Sequence, residues 1–265
     1  MTEASRRPAV IVTGASEGIG AALARVFAAE GHEVALVARR RDRLDAVAEE
    51  IAVNGALRPT VIELDLLADG AVDALAERLA EAGLSTRYLV NNAGFGLMGR
   101  VAELDQGEQL AMVDLNIRAL TALTLRFLPD IAAAKGGVLN VASVAAFMPG
   151  PGFAIYYATK AYVRSFSEAL AQETKPLGVK VSCLCPGPVE TGFQARAGFD
   201  FSGAMGAMKP AMLPAAEVAR QGYDGLMAGR RVVVPGLVNK ALVWGARLAP
   251  RAILMPMLAA TQQRR

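Results

Sequence analysis

The chain contains 265 residues, of which 53% are hydrophobic and 20% are charged, and its formal net charge is +3. This length and composition are typical of one large α/β domain with a sizeable core, and the small, dispersed charge argues against nucleic-acid binding. The two cysteines, Cys183 and Cys185, alternate along an apparent strand, where an extended backbone keeps them from forming a disulfide. Together with an N-terminus that carries no long apolar run, they predict a reducing, cytoplasmic location.

Short β-branched runs alternate with amphipathic stretches along the chain, which predicts βαβ units and a parallel sheet. The predicted strands are 8–13, 34–37, 61–64, 88–90, 138–141, 179–184 and 232–234. The predicted helices lie near 18–30, 42–53, 70–82, 102–132, 153–175, 215–228 and 237–259. Five amphipathic stretches are followed by a glycine in the position of a C-terminal helix cap, namely Gly31, Gly55, Gly83, Gly178 and Gly229.

We expect a single domain over residues 1–265, because no repeat, low-complexity tract or linker interrupts the alternation. Residues 191–214 have no clear period and are rich in Gly, Met and Phe, which is typical of a mobile substrate lid. A C-terminal helical tail, about 237–260, follows the last predicted strand.

The tail combines apolar residues with Trp244, Arg247, Arg251 and two prolines. This pattern predicts a broken helix that covers the sheet edge or a dimer surface, and a helix lying on a membrane surface is the alternative. The apolar run from Ala252 to Ala260 is far shorter than the roughly 20 residues that cross a bilayer. The tail therefore predicts no membrane span.

Three glycines, Gly14, Gly18 and Gly20, lie between the first predicted strand and the first predicted helix. Glycine permits a tight turn and a close approach of a phosphate to the backbone, while the helix N-terminus attracts the anion. The spacing G-x-x-x-G-x-G differs from the commoner G-x-G-x-x-G, so on its own it is compatible with a simple tight turn. The flanking strand and helix favour dinucleotide binding.

The end of the second predicted strand bears on the choice between the two nicotinamide cofactors. An enzyme for the non-phosphorylated form places Asp or Glu there, to accept hydrogen bonds from the ribose hydroxyls. Here Ala38 occupies that place, followed by Arg39, Arg40 and Arg41, with Arg43 one turn further on. Guanidinium groups suit a 2′-phosphate, so the run predicts NADP(H), and a solvated basic helical turn is the alternative.

Polar or small residues follow the other predicted strands. Asp65 follows the third, the sequence 91–94 (Asn-Asn-Ala-Gly) the fourth, Ser143 the fifth, and Pro186 with Gly187 the sixth. Ligands of open parallel sheets bind at the carboxyl ends of the strands. These residues are therefore expected to converge on one edge, with Asp65 able to accept a hydrogen bond from an adenine amino group.

Tyr156 and Lys160 are four residues apart, which places both on one helix face with their Cβ atoms about 5–6 Å apart. A tyrosine hydroxyl has a pKa of about 10, and a cation roughly 4 Å away can lower it towards neutrality. The pair therefore predicts an acid/base group that operates near physiological pH. A lysine that extends beside a half-buried ring is the alternative.

Taken together, the motifs resemble those of the short-chain dehydrogenase/reductase family over nearly the whole chain. The matching positions are Thr13-Gly-x-x-x-Gly-x-Gly20, Asp65, Asn91-Asn-Ala-Gly94, Asn116, Ser143, Tyr156-x-x-x-Lys160 and Pro186-Gly-x-Val-x-Thr191. The resemblance implies a three-layer, doubly wound Rossmann fold with a seven-stranded parallel sheet in the order 3-2-1-4-5-6-7. Glu17 is a departure, because many NADP-using relatives carry Arg or Lys there, and it shifts phosphate recognition onto Arg39 and Arg40.

The resemblance also implies roles for the catalytic residues. Tyr156 would exchange a proton with the substrate oxygen, and Lys160 would lower the pKa of Tyr156 and hold the nicotinamide ribose. Ser143 would donate to the substrate oxygen, and Asn116 would hold a water that links Lys160 to solvent. The cofactor-binding positions that follow from the motifs and the resemblance are Gly14, Ser16, Glu17, Gly18, Ile19, Gly20, Arg39, Arg40, Asp65, Leu66, Asn92, Ala93, Gly94, Tyr156, Lys160, Pro186, Gly187, Val189 and Thr191.

A set of aromatic side chains flanks the catalytic strand ends. Each is compatible with a place in the core, and as a group with Ser143 they are predicted to line an apolar substrate pocket: Phe95, Phe147, Phe153 and Phe193. The sole histidine, His32, is expected to be exposed in a turn far from this edge, so no metal site is predicted.

The predicted function is hydride transfer between NADP(H) and a carbonyl or secondary alcohol of an apolar small molecule. The resemblance further implies a homodimer or homotetramer. The alternative is a non-catalytic NADP(H) sensor or scaffold on the same fold, whose usual signature is a broken Ser–Tyr–Lys set, whereas here all three residues are present.

Overall fold

A computed structural model describes residues 6–189 and 211–262 of the protein. Its strands form one seven-stranded sheet in the order β3-β2-β1-β4-β5-β6-β7, with every neighbouring pair parallel. This confirms the predicted fold class and strand order. The strands are β1 (Arg7–Thr13), β2 (Glu33–Ala38), β3 (Thr60–Glu63), β4 (Leu84–Asn91), β5 (Gly137–Val141), β6 (Lys180–Leu184) and β7 (Val232–Val233).

Helices cover both faces of the sheet. They are α1 (Gly18–Ala29), α2 (Arg41–Val53), α3 (Ala71–Glu81), α4 (Gln106–Val113), α5 (Leu120–Ala133), α6 (Ala154–Glu173), α7 (Ala215–Met227), α8 (Leu237–Leu248) and α9 (Arg251–Gln262). The five predicted cap glycines all adopt positive φ, between 65° and 86°. A residue without a Cβ tolerates this left-handed conformation, which ends a helix and releases the chain into the next strand.

The core consists of two apolar layers, one on each face of the sheet. Along β1, Val10 and Val12 belong to the layer formed with α1, α2 and α7, whereas Ala9 and Ile11 belong to the layer formed with α3, α5 and α6. This alternation follows from the two-residue period of a strand, and burial on both faces explains why β1 is apolar from Ala9 to Val12.

The segment predicted as one helix over 102–132 begins later and is not uniform. It starts at Gln106, because the Asp105 carboxylate caps the helix by accepting from the Glu108 backbone N–H at 2.8 Å. Between α4 and α5, Asp114–Ala119 forms a π-helical turn. Such turns are frequent at functional sites, and this one carries Asn116.

The tail over 237–259, predicted as a broken helix, consists of two helices, which confirms the predicted break. Ala249 has an extended backbone conformation, φ −68° and ψ 130°, directly before Pro250. Proline disfavours a helical conformation in the residue before it, so α8 ends there and α9 begins afresh. Within 6–189 and 211–262, the helices are too short or too polar to cross a bilayer.

Smaller differences concern a strand, a short helix and His32. β4 begins at Leu84, four residues before the predicted start, because Leu84 and the next residues pair with the first half of β1. The segment Val144–Phe147 forms a 3₁₀-helix that the sequence did not indicate. His32 is half-buried rather than exposed, and its ring packs edge-on against Phe27 and Tyr88.

Candidate active site

The glycine loop between β1 and α1 is fastened to the loop after β4 by Thr13 and Asn92. The buried Thr13 hydroxyl accepts from the backbone N–H groups of Asn92 and Ala93 at 3.0 and 3.1 Å, and donates to the Val90 carbonyl at 3.2 Å. The Asn92 amide donates to the carbonyls of Thr13 and Gly14 at 2.9 and 3.1 Å. Asn92 therefore positions the loop through its side chain.

Two glycines of this loop have no room for a side chain. Gly14 has φ +64°, and a Cβ there would lie 2.8 Å from the Asn92 amide nitrogen. A Cβ on Gly20 would collide with the Gly14 carbonyl oxygen. The first turn of α1 therefore lies directly against the loop, and its N-terminus is left as the anion-attracting end. This arrangement fits the pyrophosphate of a dinucleotide.

An arginine-rich cleft lies beside the ends of β2 and β3. Arg40 Nη2 contacts Glu17 Oε2 at 2.9 Å and donates to Ser16 Oγ at 3.2 Å, while Arg39 Nη1 is 3.9 Å from Asp65 Oδ2. The cleft has a volume of about 650 Å³ and is lined by Arg39, Arg41, Glu63, Leu64, Asp65 and Arg78. Three guanidinium groups around one cleft suit a phosphate.

Tyr156 and Lys160 lie on one face of α6 and are almost fully buried, with 7% and 6% exposure. Lys160 Nζ is 5.6 Å from the centroid of the Tyr156 ring. Its ammonium group donates to the backbone carbonyl of Val141, at the end of β5, at 3.0 Å. This contact fixes α6 against the end of β5.

Burial dominates the protonation of both residues. It raises the pKa of the Tyr156 hydroxyl well above its usual value, and a hydrogen bond with Ser143 opposes the shift. Burial lowers the pKa of Lys160 to about 8, although the nearby Cys183 and Cys185 act to raise it. The pKa of Tyr156 thus shifts in the direction opposite to the predicted one in the protein without bound cofactor, because desolvation by burial is the largest cause.

Ser143 immediately precedes the 3₁₀-helix and serves as its N-cap. Its Oγ accepts from the Ala145 backbone N–H at 3.1 Å and lies 3.5 Å from the Pro186 carbonyl. The same carbonyl accepts from the Val144 N–H at 2.9 Å. Hydrogen bonds thus join the loops after β5 and β6 at Ser143, whose hydroxyl also forms a hydrogen bond with Tyr156.

Asn116 lies in the π-helical turn and is 1% exposed. Its side chain accepts from the Phe95 N–H at 3.1 Å and donates to the Phe95 carbonyl at 2.9 Å and to Thr159 at 3.1 Å. A Cβ on Gly94 would lie 2.8 Å from Asn116 Oδ1 and 3.6 Å from Lys160 Nζ. The absent side chain leaves the space beside Lys160 open, as close binding of a ribose requires.

Phe95 and Phe153 lie in one apolar cluster with Tyr156, whereas Phe147 does not. The Phe153 ring stacks on Tyr156 with centroids 4.3 Å apart and planes 12° from parallel. Phe147 belongs to a second cluster with Val243, and the Arg164 guanidinium lies 4.6 Å from its ring centroid. Of the predicted substrate-contacting phenylalanines that lie in the described residues, Phe95 and Phe153 are beside Tyr156 and Phe147 is not.

The remaining predicted positions fall into three groups. Ile19 packs on the core, and Leu66 lies beside Thr13 and Ala93. Val189 forms an isolated bridge with Leu213, which lies in the part of the predicted lid that the structure describes. Thr191, Phe193 and most of the lid, 191–214, lie outside the described residues.

Several residues at this edge were not recognised from the sequence. Arg78 lines the arginine-rich cleft from the last turn of α3, and nothing in the local sequence indicates this. Asn239 of α8 donates to the carbonyls of Ala211 and Pro235 at 3.0 and 2.9 Å, and a Cβ on Gly187 would collide with it. Such contacts depend on tertiary packing.

Cys183 and Cys185 are both buried and free, with their sulfur atoms 3.6 Å apart. Within the described ranges, no group of three or more His, Cys, Asp or Glu residues could hold a metal ion. The Ser143 and Tyr156 hydroxyls and the Lys160 ammonium lie together at this edge.

Comparison with known proteins identifies the family that this chain resembles in sequence. A family model described as short chain dehydrogenase matches residues 8–199. Sulfoacetaldehyde reductase from Chromohalobacter salexigens is 37% identical over 187 residues, which cover 69% of this chain and 73% of that protein.

Two solved structures extend the similarity to the fold and to nicotinamide cofactors. A short-chain dehydrogenase from Sphingobium yanoikuyae in complex with NADPH has a TM-score of 0.79 and 31% identity, covering 98% of both chains. A 3-ketoacyl-(acyl-carrier-protein) reductase from Brucella melitensis complexed with NADH has a TM-score of 0.76 and 27% identity, covering 86% of this chain and 96% of that one. Similar proteins therefore bind either form of the cofactor.

Proposed function

Because the chain belongs to the short-chain dehydrogenase/reductase family, we propose that it transfers hydride between NADP(H) and a carbonyl or secondary alcohol of an apolar small molecule. The observation that carries this proposal is the buried corner in which Ser143 hydrogen-bonds Tyr156 and Lys160 lies on the same helix face. Enzymes place ionisable groups in such desolvated positions when a proton must move, whereas a purely structural core avoids them.

Tyr156 is the proposed acid/base group. Because burial raises its pKa, the hydroxyl is protonated at neutral pH, which is the form that donates to a carbonyl oxygen during reduction. The nicotinamide supplies the hydride donor or acceptor when the cofactor is bound. In alcohol oxidation, the same hydroxyl would have to lose its proton first.

Ser143 and Lys160 support this proton transfer in different ways. The Ser143 hydroxyl is held by the Ala145 N–H and can donate to a substrate oxygen next to Tyr156. Lys160 with a pKa of about 8 remains largely cationic at neutral pH and provides the positive charge beside the ring. We assign Asn116 a positioning role, because its side chain holds Phe95 and Thr159 around Lys160.

The proposed preference for NADP(H) rests on Arg39 and Arg40. No acidic side chain follows Val37 at the position of Ala38, where it would repel a 2′-phosphate. Arg39 is held only loosely, 3.9 Å from Asp65, so it is available to an incoming anion. Arg40 is already paired with Glu17, so we assign it the smaller share of phosphate recognition.

An apolar substrate is proposed from the surroundings of Tyr156. Phe95, Met112 and Phe153 are buried around it in one apolar cluster. Sulfoacetaldehyde, the substrate in the name of one relative, is by contrast small and anionic. We further propose a cytoplasmic homo-oligomer, which is supported by the two free thiols and by exposed Leu110 and Leu125 along α4 and α5.

A turnover assay with purified protein tests the proposal. NADPH and NADH would each be offered with a panel of apolar ketones and aldehydes and with sulfoacetaldehyde. We expect NADPH oxidation that depends on an apolar carbonyl and is faster than with NADH. Absence of turnover with the whole panel and undiminished NADPH binding would instead indicate the non-catalytic sensor, while faster turnover of sulfoacetaldehyde would contradict the apolar substrate.

A further inference from the structure

The first helix of the tail, α8, has two faces of very different character. One face is buried, where Val243 packs in the cluster of Phe147 and Asn239 bonds to the carbonyls of Ala211 and Pro235. The opposite face presents large apolar side chains to solvent, with Leu237, Trp244 and Leu248 exposed to 82, 62 and 79%. The buried anchors fix which side of the helix faces outward.

The exposed side chains form a continuous stripe. Leu237, Ala241, Trp244 and Leu248 are spaced by four, three and four residues, so they follow one line along a helix of 3.6 residues per turn. Lys240 and Arg247 lie one helical step to the side of this stripe, and both are exposed. A soluble monomer rarely exposes so many large apolar residues together, so this face is expected to contact something.

The charge of the residues around α8 indicates which kind of partner its exposed face can contact. After Asp224 the sequence contains seven Arg or Lys residues and no Asp or Glu, so the preceding part of a chain of net charge +3 carries −4. Lys240 and Arg247, which lie beside the apolar stripe, belong to this positively charged part of the sequence. A two-fold contact between two copies of this face would bring like charges together, which disfavours a second copy as the occupant.

We propose that α8 docks the protein peripherally on an anionic lipid bilayer. Leu237, Trp244 and Leu248 would enter the boundary between headgroups and acyl chains, while Lys240 and Arg247 would contact the lipid phosphates. Tryptophan favours this depth because its ring is apolar and its N–H remains hydrated. The helix lies on its side, since its 12 residues are too few to cross a membrane.

Docking through α8 would bring the candidate active site near the bilayer. The helix packs on the 3₁₀-helix Val144–Phe147, which begins immediately after Ser143. The proposal nevertheless stands independently of the reaction, because it concerns an outward face that touches none of the residues assigned to catalysis. Its test therefore measures binding and requires no substrate.

Trp244 is the sole tryptophan, so its fluorescence reports on this face directly. The full-length protein would be mixed with vesicles of phosphatidylcholine alone, or of equal parts phosphatidylcholine and phosphatidylglycerol, and then sedimented. We expect co-sedimentation and a blue shift of Trp244 emission with the anionic vesicles only, and both should weaken as salt is added. Equal binding to both compositions, or binding to neither, would overturn the proposal.

Variants separate the apolar contribution to vesicle binding from the electrostatic contribution. Leu237→Ser with Leu248→Ser should lower the vesicle partition coefficient by about tenfold or more, because two exposed leucines no longer enter the bilayer. Lys240→Gln with Arg247→Gln should lower it by about tenfold for anionic vesicles. Leu57→Ser is a matched control, because Leu57 is 61% exposed but lies after α2, and it should bind like the unmodified protein.

A contact between two copies is distinguished in the same experiment. In that case the blue shift appears without vesicles and increases with protein concentration, and analytical ultracentrifugation detects a dimer. If Leu248→Ser abolishes both the blue shift and the dimer, the stripe is covered by a second copy and the proposal is wrong. All the substituted side chains are exposed, so the variants should retain the thermal midpoint of the unmodified protein.

Discussion

The two halves of the candidate site use charge in opposite ways. On the cofactor side, Arg39, Arg40, Glu17 and Asp65 are each about half exposed and form ion pairs at the surface. On the catalytic side, Tyr156 and Lys160 are almost completely buried. Exposed pairs are screened by water and contribute little each, whereas buried ionisable groups strongly shift their pKa values and destabilise the fold. We therefore expect graded effects on the first side and large effects on the second.

The largest effect is expected for Tyr156→Phe, which removes only the hydroxyl. Turnover should fall by about a thousandfold or more, because the substrate oxygen loses its proton donor, while NADPH binding should persist. Steady-state kinetics and cofactor titration measure the two quantities. Tyr157→Phe is the matched control, since it removes the neighbouring hydroxyl of the same helix, and it should remain active. Full activity in Tyr156→Phe would refute the role assigned to this residue.

Lys160→Met should also abolish most turnover, and it additionally tests the cost of burial. Lys160 has a pKa of about 8 in the folded protein, below its ordinary 10.5, so between these values the unfolded chain binds more protons than the folded one. The stability of the unmodified protein should therefore rise with pH across this window relative to that of Lys160→Met. The free energy of unfolding of both proteins is measured by denaturant titration at a series of pH values. If it changes with pH in the same way for both proteins, Lys160 is not desolvated.

The same pKa predicts how activity depends on pH. Carbonyl reduction should decline as the pH rises through about 8, because Lys160 loses the charge that lies beside the Tyr156 ring. The measurement is kcat/KM for a saturating cofactor and a chosen ketone across the alkaline range. A profile that stays flat to above pH 10 would contradict the shift assigned to Lys160.

Charge removal on the cofactor side should have a smaller, selective effect. Arg39→Ala with Arg40→Ala should weaken NADPH binding by about tenfold to a hundredfold and leave NADH binding nearly unchanged, because only NADPH carries the 2′-phosphate. Arg58→Ala, another exposed arginine that is paired with carboxylates, serves as the control. Equal losses for both cofactors would argue against a phosphate site at these arginines.

The smallest effect is expected for Glu17→Gln. It releases Arg40 from the ion pair at 2.9 Å and should strengthen NADPH binding by about twofold to fivefold, with less change for NADH. Titration at low ionic strength gives the clearest signal, because salt screens exposed charges. Glu77→Gln provides an exposed control on α3. Weaker NADPH binding in Glu17→Gln would mean that Glu17 orients Arg40 productively rather than competing for it.

The sequence predicted the sheet and the proximity of Ser143, Tyr156 and Lys160 because both depend on local signals. Alternating apolar runs and capping glycines define the strands and helices, and the topology of a parallel sheet brings Ser143 and Pro186, which follow β5 and β6, to one edge. The four-residue spacing of Tyr156 and Lys160 places them on one helix face without any tertiary information.

The features that were missed depend on contacts between distant segments. The pairing of Glu17 with Arg40, the π-helical turn around Asn116 and the approach of Asn239 to Gly187 all follow from how the elements pack. The direction of the pKa shift of Tyr156 also could not be predicted from the sequence. Spacing shows that a lysine is near, but the degree of burial decides which effect dominates.

The most direct test of the account is to follow a labelled hydride. NADPH carrying deuterium at the reactive C4 position would be incubated with the protein and a ketone that the turnover assay has identified, and the alcohol would be analysed by mass spectrometry. The account predicts one deuterium on the carbinol carbon with the unmodified protein and almost no labelled alcohol with Tyr156→Phe. An alcohol without deuterium, or equal labelling by both proteins, would contradict it.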